Sequence, residues 1–155
     1  MADIFQECTN PAINCLAIKL QKTSKTEYNN FPTIGFKNIL RDIKKFNLHD
    51  VALIKARAPI ESIDQIFPDF ISPKKSVIVY IFNKDGYVHF IYGKIGLDGT
   101  KTIYDSWAYD QNHFRDNYYS RTFYSRYKNI FSKNAPMQFD NIGVCAYFAF
   151  TNALL

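Results

Sequence analysis

The chain has 155 residues, 47% of them hydrophobic and 21% charged, with a formal net charge of +5. That length and balance suit one compact domain with a single core and exclude a disordered or fibrous segment. The longest apolar stretches, around Ser76–Phe82 and Val144–Leu155, fall short of the roughly 20 residues that cross a bilayer, and the polar start Met1–Asn10 lacks the apolar centre of a secretion signal, so neither a membrane span nor export is expected.

Three cysteines, at 8, 15 and 145, are an odd number in a chain long enough to build a core without disulfides, which fits free thiols in a reducing compartment. Cys8 and Cys15 stand seven apart with no histidine close by, so no zinc-type ligand set is spelled out, and no metal or other cofactor is expected. The positive charge and the 17% aromatic content give only a weak attraction toward polyanions.

Taken in chain order, Met1–Tyr28 reads as an N-terminal arm on a single domain that spans 1–155, with a polar loop over Lys22–Asn30. From Phe36 to Phe46, apolar Phe36, Ile39, Leu40, Ile43 and Phe46 recur at three- and four-residue spacing, which predicts an amphipathic helix. A turn-rich stretch marked by Pro59, Pro68 and Pro73 leads to Ser76–Phe82, whose β-branched and aromatic residues predict a buried strand. Asn83–Gly86 turns the chain, Tyr87–Lys94 returns it, Leu97–Gly99 turns it again, and Lys101–Trp107 makes a third strand of an antiparallel meander. Aromatic spacing over Phe114–Phe131 predicts a second helix. Gly143 precedes the apolar run Val144–Leu155, which predicts a buried helix opening near Cys145. The fold class is α+β: a small, mainly antiparallel central sheet packed against helices.

Four residues carry candidate chemistry. A thiol at a helix start is favoured as thiolate, the nucleophilic form, which singles out Cys145, although a cysteine on an apolar helix is ordinarily core. His89, mid-strand between Val88 and Phe90, and Asp105, at the end of the next strand, can meet side by side. Asp105 would then accept from Nδ1 and leave Nε2 to deprotonate Cys145. Gln138, seven residues before Cys145, can donate to an oxyanion together with the Cys145 backbone N–H. Each residue alone has an ordinary structural explanation; the ordered set His89, Asp105, Gln138, Cys145 does not.

These blocks resemble the adenovirus maturation protease family, which shares a clan with the proteases of ubiquitin-like modifiers. Phe67-Pro-Asp-Phe-Ile-Ser-Pro-Lys74 is similar to a block that precedes the family's catalytic histidine, Val88-His-Phe90 to its Val-His-Trp, Tyr104–Tyr109 to its acidic segment, and Gln138–Cys145 to its nucleophile segment. Ala146 and Phe90 depart from the family's glycine and tryptophan. The resemblance implies a cysteine endopeptidase acting through a thioester on polypeptide substrates, viral capsid or core precursors cut next to glycine, with a DNA or peptide activator. It also implies an origin in a DNA virus, virophages included, and a location in the virion or the infected-cell interior. Two other readings stay open: a protease of ubiquitin-like modifiers, and a non-enzymatic nucleic-acid binder using Arg115–Lys128. An inactive protease fold serving as a scaffold is a further reading.

Overall fold

In a computed structural model of the chain, residues 35–72, 74–106, 118–132 and 145–154 are described. They form an α+β structure built on a four-stranded mixed sheet. The strands are β1 (Val51–Arg57), β2 (Ser76–Phe82), β3 (Val88–Ile95) and β4 (Lys101–Tyr104), and they lie in that order across the sheet. The helices are α1 (Phe36–Lys45), α2 (Arg121–Tyr127) and α3 (Cys145–Leu154).

The amphipathic helix expected over Phe36–Phe46 is α1. Its start is tied by the Asn38 side chain, whose Oδ1 accepts from the Gly35 N–H at 3.1 Å. Its end is closed by a Schellman turn: Asn47 takes the left-handed conformation (φ 53°), its N–H donates to Lys44 O, and the Leu48 N–H donates to Ile43 O. Ile39 and Ile43 are buried, whereas Leu40 lies at the exposed margin.

β2, β3 and β4 form the expected antiparallel meander, with Ile81 opposite His89 and Tyr92 opposite Tyr104. The first hairpin is held by Asn83, whose Oδ1 accepts from the N–H groups of Asp85 and Tyr87, and is closed by Gly86 at φ 85°. β1, by contrast, is a strand that the proline-marked reading of this region did not include, and it pairs with β2 in parallel. The link between them passes through two short 3₁₀ turns, Ile63–Gln65 and Asp69–Ile71, rather than an α-helix.

Both faces of the sheet are covered, so β2 reads as a near-continuous apolar run. On one face Ile78, Phe90 and Tyr92 pack with Ile39 of α1 and with Phe148 and Phe150 of α3. On the other, Val77, Val79 and Ile91 pack with Phe67 of the crossover and with Tyr119 and Phe123.

The predicted helix over Phe114–Phe131 is corrected. Within the described part Tyr118 is helical, the helix breaks at Tyr119 and Ser120, and a new one starts at Arg121, after Ser120 has capped it by accepting from the Phe123 N–H at 2.9 Å; it relaxes into a 3₁₀ turn at Lys128–Ile130. Just before the cap, Tyr119 is extended and forms a parallel bridge with Ile60, and Phe131 forms another with Ile103. Backbone pairing with the sheet side of the molecule has therefore won over the helical spacing of the aromatics at both ends. The third strand is shorter than Lys101–Trp107: β4 ends at Tyr104, and Asp105 follows it. The N-terminal arm, the Lys22–Asn30 loop, Cys8, Cys15, Trp107 and Gln138 lie outside the described residues.

Candidate active site

Because side chains alternate along a strand, His89 points to the face that carries Ile91, while Phe90 points to the face covered by α3. β4 pairs with β3 only from Tyr92 onward, so the earlier half of β3 has an edge that β4 does not cover. Cys145 fills that edge from the α3 side. Its Sγ accepts from the Phe90 N–H at 3.3 Å, which gives the sulfur a fixed donor from the sheet backbone.

His89 is 1% exposed and Asp105 1%, and His89 Nε2 lies 2.7 Å from Asp105 Oδ1. The Cys145 side chain also acts on this imidazole and favours its charged form. Nε2, and not the Nδ1 read from the sequence, faces Asp105, which leaves Nδ1 as the ring nitrogen available to another partner.

Burial by itself pulls the His89 pKa down, but it is outweighed by the Asp105 charge, the hydrogen bond to Asp105, and the Cys145 side chain. Together these raise it from about 6.5 to about 10, so the imidazole is held as the cation at neutral pH. Its flat face is covered by the Tyr118 ring, with centroids 4.8 Å apart and planes at 29°, a geometry that suits a cation against a π-system. The Tyr118 hydroxyl donates to Val88 O at 3.4 Å. Burial, then the charges of Cys145 and Asp105, push the Tyr118 pKa up to about 12, so it stays a neutral donor.

The second oxygen of Asp105 is also held: the Tyr119 hydroxyl donates to Oδ2 at 2.8 Å. A buried cation, a buried carboxylate bound through both oxygens, and a sulfur with a backbone donor thus form one connected unit.

No family model, characterised protein or solved structure matches the chain. What the site can do is therefore read from its own geometry. Three of the four residues singled out from the sequence, His89, Asp105 and Cys145, come together; Gln138 lies outside the described residues. The sequence reading had placed Tyr118 and Tyr119 as apolar positions on a helix. A signal was present in Ser120, a residue type favoured at helix starts, since a cap there takes Tyr119 out of the helix. Among the described residues no group of three or more His, Cys, Asp and Glu could hold a metal ion. No helix of the described residues is long and apolar enough to cross a membrane.

Proposed function

We propose that the protein is a cysteine endopeptidase that works through a thioester acyl-enzyme. The observation that carries this reading is a buried imidazole 2.7 Å from the Asp105 carboxylate, with the Cys145 sulfur held by the N–H of the next residue, Phe90. Favoured as the cation by the acid and by the Cys145 side chain, His89 can take the thiol proton and keep it, which leaves a thiolate beside an imidazolium.

In the reaction the Cys145 thiolate attacks the scissile carbonyl carbon and its electron pair becomes the new C–S bond. The tetrahedral oxyanion is stabilised by the Cys145 backbone N–H and the Gln138 side-chain amide. His89 Nδ1–H gives its proton to the leaving amine as the C–N bond breaks, forming the thioester. Water then attacks the thioester while His89 accepts its proton, and collapse releases the carboxylic acid and restores the thiolate. Asp105 keeps the imidazole in place and offsets its charge throughout. The similarity of four sequence blocks to the adenovirus maturation proteases supports viral capsid or core precursors as the polypeptide substrates, cut next to glycine, inside the virion or infected cell.

The test is labelling of the intact protein with iodoacetamide across pH, with mass spectrometry reporting which of Cys8, Cys15 and Cys145 reacts. Selective labelling of Cys145 well below the ordinary thiol pKa of about 8.5, lost in His89→Ala, is the expected result. Labelling of Cys145 that simply follows a free thiol, with His89→Ala unchanged, overturns the proposal.

A further inference from the structure

We infer that Tyr119 is a positioning residue for this site: its hydroxyl fixes the Asp105 carboxylate so that the carboxylate in turn fixes His89 against Cys145. The inference rests on the thiol-hydrolase reading above and adds to it a residue that makes no contact with the reacting atoms.

A carboxylate with one oxygen bonded can rotate about its Cβ–Cγ bond and present the imidazole with either oxygen or with neither in line. Asp105 has no such freedom, because Oδ1 meets His89 Nε2 at 2.7 Å while Oδ2 accepts from Tyr119 at 2.8 Å. The hydroxyl can act as a clamp only if its own ring is fixed, and several contacts fix it. The Tyr119 ring stacks on Phe123 (5.4 Å, 15°) and meets the edge of Phe131 at 5.3 Å and 85°. Its backbone is pinned by the bridge to Ile60, whose N–H donates to Tyr118 O and whose carbonyl accepts from the Ser120 N–H. The next residue caps α2. Tyr119 is 2% exposed, so solvent does not compete for its hydroxyl. The aromatic cluster on this face of the sheet therefore ends in one oriented O–H aimed at the acid.

Tyr119→Phe keeps the ring and removes only that O–H. The expected result is a Cys145 alkylation rate at pH 7 lower on the order of tenfold, the scale of one hydrogen bond to a charged group. A fall in the NMR titration midpoint of His89 should accompany it, since a loosened carboxylate supports the imidazolium less well. In an Asp105→Asn background the same substitution should cause no further loss, because Tyr119 acts through Asp105; a structural role alone would lower both backgrounds alike.

Fast Cys145 alkylation that Tyr119→Phe leaves unchanged overturns the inference while the hydrolase reading stands. If Cys145 of the unaltered chain proves inert, the hydrolase reading falls, and the His89 midpoint still decides the clamp: a fall upholds it, and an unchanged or raised midpoint overturns it. The unaltered chain offers a check that needs no variant, since a Tyr119 hydroxyl proton held by Asp105 exchanges slowly with solvent. Fast exchange overturns the contact itself.

Discussion

Asp105 Oδ1 stands 2.7 Å from His89 Nε2 with both groups sealed from solvent, so the charge on one is offset almost wholly by the other. A buried charge whose partner is removed is costly, and it neutralises instead. Replacing Asp105 by Asn should therefore let burial dominate and bring the His89 midpoint back toward its ordinary value of about 6.5. The imidazole would then lose its charge near neutrality. Hydrolysis should fall on the order of 10²- to 10⁴-fold, by comparison with the loss of the orienting acid in serine-type triads. NMR titration of His89 and kcat/KM measured together check both.

The raised His89 pKa also sets a pH dependence of stability. Between about 6.5, where the unfolded chain loses the His89 proton, and about 10, where the folded chain does, His89 itself holds one more proton in the folded state. The contribution is fully present below 6.5 and is lost as pH rises through 10. This one group should lower stability by about 1.4 kcal/mol per pH unit across that window. Urea unfolding at stepped pH, compared with His89→Gln, measures it; the variant should lack this descending slope.

Gly93 lies on β3 four residues beyond His89, and a Cβ there would sit 2.7 Å from Phe67 Cζ and 3.0 Å from Val77 Cγ1. Both neighbours are buried, so the ring has no solvent side to retreat to. Gly93→Ala should cost about 1–3 kcal/mol, the usual range for overpacking, and lower Tm by several degrees. Thermal unfolding decides the matter, and a Tm equal to that of the parent chain would contradict the close approach.

Ser120 caps α2 through the Phe123 N–H. Ser120→Ala should cost about 1 kcal/mol. Because it adjoins Tyr119, it should also slow Cys145 alkylation at neutral pH, whereas Asp98→Ala, in the turn at the far end of β3 where Asp98 accepts from the Thr100 N–H, should leave that rate unaltered.

Gln138→Ala should lower kcat on the order of 10²- to 10³-fold with a smaller effect on KM, the pattern of one lost oxyanion donor. Steady-state kinetics on a peptide substrate with glycine at the cleavage point would show it. An equal rise in KM with kcat unchanged would reassign Gln138 to ground-state binding.

Much of the sheet was legible because its signals are local. Ser76–Phe82 is a strand at the residues expected, since an unbroken β-branched and aromatic run buried on both faces has few other uses. β1 was not legible: Val51-Ala-Leu-Ile-Lys-Ala-Arg57 is rich in Ala and in long charged residues, and it becomes a strand through parallel pairing with residues 25 positions away. Over Phe114–Phe131 the aromatic spacing fits a helix, yet Tyr119 and Phe131 are drawn into bridges with Ile60 and Ile103. In the site, the types and order of His89, Asp105 and Cys145 are visible in sequence. Which imidazole nitrogen faces Asp105 is not, because it depends on how the folded chain turns the His89 ring toward the residue after β4.

β4 is four residues long. Had it continued in the same antiparallel register, Ser106 would stand opposite Phe90 and a ladder bond could claim the Phe90 N–H. That amide instead points at a sulfur. Strand length thus chooses between two uses of one N–H, a structural rung or a hold on the Cys145 sulfur. Any change that lengthened β4 would tighten the sheet and set that sulfur loose in the same stroke.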